Sequence, residues 1–244
     1  LRTQYLGMHG QCTHMRGRFI VIDGPIASGK TTIKYMIKEL IKEPSIAITQ
    51  SPYALLTYAI TKALATLITK DKKVKDIYPL TYLEMAKPQL LAKILKLLIA
   101  MDLLQSIVIA TASKIMNLMG INVLIEDYLP TIILDHIAYA RLYMEDHELD
   151  RDRAIKALYK LSLALMNMLT PIAIYVHAST KTRLSRSINR GYRIVNPDIL
   201  HDNLRSKALL TVMRLSMGNN VHVINNNGPL SETRRQLIDI VAKR

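Results

Sequence analysis

The chain has 244 residues, of which 50% are hydrophobic and 21% are charged. This composition excludes intrinsic disorder over most of the chain and allows one sizeable core. The single cysteine, Cys12, excludes a disulfide framework and a cysteine-based zinc site, and is typical of a reducing compartment. The most apolar stretch, 94–110, is interrupted by Lys96, Asp102 and Gln105, so it falls short of the ~20 apolar residues that a membrane span needs. We therefore expect a cytoplasmic protein that does not enter a membrane.

The charge predicts polyanionic partners. Lysine and arginine number 33 against 19 acidic residues, which gives a net charge of +14. Nucleotides, nucleic acids and anionic lipids would all suit such a protein. With one phenylalanine and no tryptophan, the sequence offers little sign of a platform on which single-stranded bases stack. Nucleic acid stays a possible partner, but a basic surface around an anion-binding active site is the favoured interpretation.

In chain order, the pattern begins with a stretch that has neither acidic residues nor periodicity, 1–17, which predicts a flexible basic arm. Short β-rich apolar runs then predict five strands, at 18–24, 45–50, 121–127, 171–178 and 220–226. Apolar residues at helical spacing predict helices between and after them, at 33–41, 54–69, 80–119, from Pro130 onward, at 154–169, 181–191, 198–217 and beyond Pro229. This alternation predicts one domain over 18–244, with a parallel sheet covered on both faces.

The most specific motif joins the first strand to the first helix and matches the phosphate-binding pattern GxxxxGK[ST]. It consists of Gly24, Pro25, Ile26, Ala27, Ser28, Gly29, Lys30 and Thr31. In such a loop, backbone N–H groups at a helix N-terminus hold phosphate oxygens. Lys30 is expected to reach the β- and γ-phosphates, and the Thr31 hydroxyl to bind Mg²⁺. We therefore predict that these residues and the adjacent Thr32 bind ATP or GTP together with Mg²⁺.

Four segments resemble the thymidylate kinase family and the related deoxynucleoside kinases. They are RFIVIDGPIASGKTT (18–32), VLIEDYLPTIILDHIAYA (123–140), PIAIYVHASTKTRLSRSINRG (171–191) and VHVINNNGPLSETRRQLIDIV (221–241). The resemblance spans residues 18–242 and implies a three-layer α/β P-loop fold with a five-stranded parallel sheet in the order 2-3-1-4-5. It also implies transfer of the ATP γ-phosphate to a nucleotide, with dTMP as the leading acceptor, and a homodimer.

A basic segment without acidic residues, about 181–197, is the predicted lid. Phosphoryl transfer needs positive charge near the γ-phosphate, which a positioned arginine supplies. Arg186 and Arg190 are four residues apart and so share one helical face. We expect Arg186 to face the adenine or the phosphates, and Arg190 or Arg193 to close on them. A solvated basic face would have the same sequence pattern.

Carboxylates after the third strand are the candidate metal-binding or base residues. Glu126 and Asp127 stand where thymidylate kinases have an Asp-Arg pair, so the arginine of that pair is missing. An acid at the end of a strand beside the loop suits the Mg²⁺ shell or general-base work on the acceptor. Asp23, next to Gly24, could do similar work. A charge at a helix N-terminus is the alternative interpretation of these acids.

Candidate acceptor-binding residues follow from the same resemblance. The family's Ala-Asp-Arg-x-Gln pattern reads 101–105 here, with Asp102 and Gln105 but again without its arginine. Tyr128 is a candidate for stacking on an acceptor base, as are Tyr139 and Tyr143, although tyrosines at such spacings often belong to a core. The missing arginines favour an uncharged deoxynucleoside as the alternative acceptor. A P-loop protein that binds ATP without turnover and engages nucleic acid is the alternative of another class.

Overall fold

The computed structural model describes residues 17–49, 55–68, 79–143, 151–190 and 196–242. Five parallel strands form one sheet in the order β2-β3-β1-β4-β5. The strands are β1 (Phe19–Asp23), β2 (Ser45–Thr49), β3 (Asn122–Glu126), β4 (Ile172–His177) and β5 (Val221–Asn225). The predicted strand number, direction and order are therefore confirmed. The predicted arm at 1–17 lies almost wholly outside the described residues.

Helices follow the strands and cover both faces of the sheet. In chain order they are α1 (Lys30–Leu40), α2 (Leu55–Ile68), α3 (Pro79–Ala86), α4 (Pro88–Leu118), α5 (Leu129–Tyr143), α6 (Arg153–Leu169), α7 (Thr180–Asn189), α8 (Asn196–Met217) and α9 (Leu230–Ala242). A short 3₁₀ turn, Gly218–Asn220, leads into β5.

Two apolar clusters, one on each face, make the fold three-layered. On one face the β1 side chains Phe19 and Val21 pack with residues of α4, α5, α6 and α8. On the other face, Ile20 and Ile22 pack with residues of α1 and α9. Because both faces are covered, β1 and β3 are buried along their whole length. Because Ile22 pairs with Glu126 in the parallel register, the carboxyl ends of β1 and β3 lie side by side.

The helix that periodicity predicts over 80–119 is interrupted once. Helix α3 ends at Ala86, and α4 begins at Pro88. Lys87 between them has a φ of −147°, outside the helical region. Proline disfavours a helical conformation in the residue before it, yet fits the first turn of a new helix. The apolar spacing continues across this break, which is why the pattern alone did not reveal it.

By length and composition alone, helix α4 could cross a membrane. No other helix of the described segments meets this test. It packs chiefly against α6, and its buried residues include Asp102. Core helices of soluble proteins pass the same test of length and composition, so this is weak evidence. Our expectation that the chain does not enter a membrane stays a prediction.

Candidate active site

The loop between β1 and α1 has the backbone geometry of an anion cradle. Gly24 and Gly29 have positive φ values of 153° and 100°, and Ala27 is also left-handed with a φ of 59°. A Cβ on Gly24 would lie 2.6 Å from the Val176 carbonyl oxygen, so only glycine fits there. Gly29 is the N-cap of α1 and makes no side-chain cap hydrogen bond, and the first turn contains no acid. The helix N-terminus is therefore arranged for an anionic ligand.

Ser28 provides a further indication of a ligand in this loop. Its hydroxyl is buried and has no hydrogen-bond partner among the described residues. Buried polar atoms in proteins nearly always have such a partner. A phosphate oxygen bound in the loop would supply one. The loop residues thus fit the nucleotide that the motif predicts.

The Lys30 ammonium lies against its own loop. Its Nζ donates to the carbonyl oxygens of Gly24 at 2.8 Å and Pro25 at 3.1 Å. The Oδ1 atom of Asp127, the residue that follows β3, lies 3.4 Å from the same Nζ. Asp127 itself has a φ of 55°, a conformation that costs a residue with a side chain about 1–3 kcal/mol and that tends to occur at functional sites. The structure therefore brings together two of the residues predicted to be catalytic.

Glu126 lies at the end of β3 beside Thr31. The Thr31 hydroxyl donates to Oε1 of Glu126 at 2.7 Å, and the Lys34 ammonium donates to Oε2 at 2.9 Å. No cluster of three His, Cys, Asp or Glu side chains that could hold a metal occurs in the described part of the chain. Mg²⁺ is commonly held by one or two protein groups together with substrate phosphates. Thr31 and Glu126 fit that kind of site.

Asp23 is a buried carboxylic acid directly below the loop. One of its oxygens accepts from the Gly24 N–H at 2.8 Å, and the Thr131 hydroxyl lies 2.7 Å from both oxygens. Burial raises the pKa of Asp23 to about 7, and the negative charge of Asp127 adds to the rise. The Lys30 ammonium and the two hydrogen bonds oppose it. Asp23 thus titrates near neutral pH, next to the proposed phosphate site.

Arg186, on α7, holds the outer side of the loop. Its Nη1 donates to the Ser28 carbonyl at 3.0 Å, and its Nη2 donates to the Asn226 carbonyl at 2.9 Å. Burial lowers the pKa of Arg186, and the nearby Arg190 charge lowers it further. The first of the two predicted lid arginines therefore contacts the loop through its backbone carbonyls.

The remainder of the predicted lid is less fully described. Arg190 is exposed and follows the last turn of α7. Arg193 and its neighbours, 191–195, lie outside the described residues. Lid closure over a nucleotide stays a prediction.

Asn226, which sequence reasoning missed, supports the loop from behind. Its side-chain amide donates to the Ser28 carbonyl at 2.7 Å and accepts from the Thr233 hydroxyl at 3.1 Å. Asn226 is 1% exposed, so these bonds are shielded from water. The signal available in the sequence was the run of three asparagines, 225–227, that begins at the last residue of β5.

Asp102 belongs to a buried polar chain that links four helices. Its Oδ1 accepts from the Thr57 hydroxyl, and its Oδ2 lies 3.1 Å from Nε2 of His136. Nδ1 of His136 is in turn 2.9 Å from the Tyr159 hydroxyl. Burial and the Asp102 charge raise the pKa of Tyr159. Asp102 is 1% exposed, and its carboxylate is enclosed by these protein groups. That Asp102 binds substrate stays a prediction.

The prediction that Tyr128 stacks on an acceptor base is corrected by its position. Its ring is fully buried and packs edge-on against Phe19, with centroids 5.8 Å apart. Its hydroxyl donates to the Ser106 carbonyl at 2.8 Å, and burial raises the pKa of Tyr128. Tyr128 is therefore a core residue, a member of the apolar cluster that includes Phe19 and Val21.

The other candidate acceptor-binding residues are only partly described. Gln105 is half-buried on α4. The side chains of Tyr139 and Tyr143 lie outside the described residues.

Comparison with known proteins finds similar solved structures but no match to a family model or a curated sequence. A thymidylate kinase from Candida albicans has a similar solved structure, with 14% identity over 93% of this chain and 92% of that chain, and a TM-score of 0.48. A shikimate kinase from Acinetobacter baumannii has 10% identity over the same shares and a TM-score of 0.38. Neither likeness carries weight at these scores.

The sheet order and the loop decide the fold class. Five parallel strands in the order 2-3-1-4-5 have the GxxxxGK[ST] loop directly after β1. The chain has a three-layer P-loop NTPase fold. Ligands of such open sheets bind beyond the carboxyl ends of the strands, which is where Asp23, Glu126 and Asp127 lie.

Proposed function

We propose that the chain is an ATP-dependent kinase that transfers the γ-phosphoryl group to a nucleoside or nucleotide. The observation that carries this proposal is the arrangement at the strand ends. A glycine loop with its lysine, a hydroxyl bonded to a carboxylate, and a second carboxylate beside the lysine occur together there. Phosphoryl transfer depends on positioning and on charge neutralisation, and these groups are suited to both.

Each residue has a role in this reaction. The backbone amides from Gly24 to Thr32 bind the phosphates, and Lys30 turns from the loop carbonyls to the β- and γ-phosphates. The Thr31 hydroxyl, supported by Glu126, holds Mg²⁺, which when bound offsets the charge that develops on the phosphates. If the acceptor is a nucleoside, Asp127, next to Lys30, would accept the proton of its hydroxyl; a monophosphate acceptor would attack through a phosphate oxygen and needs no such step. Arg186 keeps the loop in shape on the adenine side, with Arg190 supplying charge from the lid.

The leading acceptor is dTMP, which the family resemblance implies. One observation favours an uncharged nucleoside as the second candidate. Where the family binds the acceptor phosphate with arginine, this chain has Glu126-Asp127 and a 101–105 segment without arginine. A carboxylate near a monophosphate repels it. A nucleoside hydroxyl meets no such repulsion.

The test is ATP consumption over a panel of nucleosides and nucleoside monophosphates. Turnover with dTMP but not thymidine supports the first acceptor, and the reverse supports the second. Lys30→Ala should reduce turnover by orders of magnitude in a folded protein, with the exposed Lys38→Ala as the matched control. Absence of turnover over the whole panel, with tight and salt-sensitive DNA binding, would instead indicate a nucleotide-dependent nucleic-acid binder.

The resemblance implies the assembly, and the composition of the sequence predicts the location. We infer a homodimer that acts in the cytoplasm. Size-exclusion chromatography coupled to light scattering measures the mass, and a monomer at assay concentration contradicts the inference.

A further inference from the structure

Lys34 is a charged residue on the buried face of α1. It lies between Ile33 and the core position Ile37, and it is only 2% exposed. Lysine is almost never buried this fully unless it is paired. Its ammonium lies 2.9 Å from Oε2 of Glu126, which is itself 5% exposed. The helix therefore places a positive charge directly below the proposed metal site.

The ion pair determines how Glu126 is used. Lys34 engages one carboxylate oxygen, and this leaves the other oxygen, Oε1, directed at Thr31. A threonine hydroxyl has one hydrogen and two lone pairs. Because Thr31 gives its hydrogen to Glu126, its lone pairs remain for a cation. The order of contacts is thus Lys34 to Glu126 to Thr31.

We propose that Lys34 is a positioning residue for Mg²⁺-nucleotide binding: it fixes Glu126 so that Glu126 orients the Thr31 hydroxyl toward the metal. This inference rests on the proposed function, because it concerns the same nucleotide site. Groups that orient metal ligands in this way typically change metal affinity by about 10–100-fold when they are removed. Lys34 does not touch substrate itself in this role.

The experiment compares ATP binding with Mg²⁺ and with EDTA, by isothermal titration calorimetry. The variants are Lys34→Met, Glu126→Gln and the double variant, with Lys38→Met as a control on the exposed side of the same helix. For Lys34→Met we expect the Mg²⁺-dependent gain in ATP affinity to fall about tenfold. Binding in EDTA should stay near that of the wild type, because the loop amides and Lys30 are retained.

The double variant separates positioning from simple structural support. In Glu126→Gln alone, Lys34 attracts the amide oxygen, so the amide nitrogen turns toward Thr31 and reverses the hydroxyl. In the double variant that attraction is gone, and the amide oxygen can again accept from Thr31. We therefore expect the Mg²⁺-dependent gain in ATP affinity to fall in both single variants. The double variant should recover most of that gain. If Lys34→Met does not fold, Glu126→Gln and the double variant alone decide the question in the same way.

Two results with the variants overturn the inference. One is a Lys34→Met protein with the wild-type Mg²⁺ gain, and the other is a double variant no better than Glu126→Gln. A wild-type protein that binds ATP equally with Mg²⁺ and EDTA also overturns it. A wild-type protein that binds no ATP in either condition refutes the proposed function itself, which distinguishes the two failures.

Discussion

Replacing Asp23 by asparagine should change the pH dependence of stability. The pKa of Asp23 rises from 3.8 to about 7 in the folded protein, chiefly through burial. The folded state therefore holds this proton more tightly than the unfolded state. Its contribution to stability is fully present below the unfolded pKa and is lost as the pH rises through about 7. Asparagine keeps the size and the acceptor oxygen for Gly24 and Thr131, but it does not titrate.

The magnitude follows from the size of the shift. One pKa unit corresponds to about 1.4 kcal/mol, so the whole shift amounts to about 4 kcal/mol. About 2–3 kcal/mol of this is lost between about pH 5 and about pH 8, as the carboxyl ionises in the folded protein. We expect Asp23→Asn and the wild type to differ little near pH 5. Near pH 8 the variant should be the more stable protein.

The assay is urea unfolding of both proteins at several pH values, with the free energy of unfolding compared at each. Titrating groups that do not interact with Asp23 affect both proteins alike, so the difference reports Asp23 and its interactions with Asp127 and Lys30. A difference that stays constant over this pH range would refute the burial argument. Asp127→Asn serves as a second check, because removal of that charge should lower the pKa of Asp23 and reduce the pH dependence.

Three further changes test the site and its surroundings. Asn226→Ala removes a buried bond to Ser28, and we expect a loss of about 1–3 kcal/mol in urea unfolding, with a higher KM for ATP; an unchanged KM would argue against support of the loop. His136→Phe removes one partner of the Asp102 carboxylate, so the free energy of unfolding should fall by about 1–3 kcal/mol. Calorimetry should show the same Kd for ATP, and weaker ATP binding would place Asp102 and its polar partners in the site. Gly24→Ala brings a Cβ to 2.6 Å from a carbonyl oxygen of β4, so ATP binding should be lost in a protein whose circular dichroism is unchanged, and retained binding would show that the loop can shift.

The elements that were predictable from sequence are those specified locally. The phosphate loop is one contiguous motif, and its glycines have the positive φ values that the motif requires. The strands are short apolar runs next to turns, which is a strong local signal for a buried parallel sheet. The strand order came from the family resemblance, and the observed pairing confirmed it.

What sequence reasoning missed depends on residues that are distant in the chain. Asn226 meets Ser28 across 198 positions, and Glu126 meets Lys34 across 92. Periodicity assigns Lys34 to a helix but does not reveal that a carboxylate faces it. The same limit explains Tyr128: its ring suggested stacking on an acceptor base, but the ring packs against Phe19 and its hydroxyl donates to a carbonyl of α4. Side-chain partners across the sheet are a property of the tertiary structure.

The two side chains that support the phosphate loop, Arg186 and Asn226, have a consequence for the synthesis of the protein. Residues 27 and 28 belong to the first eighth of the sequence, but the arginine and the asparagine that hold their carbonyls come at positions 186 and 226. During translation the nascent loop therefore emerges long before its supports exist. The nascent chain should gain high affinity for ATP only late, when β5 has left the ribosome and joined the edge of the sheet.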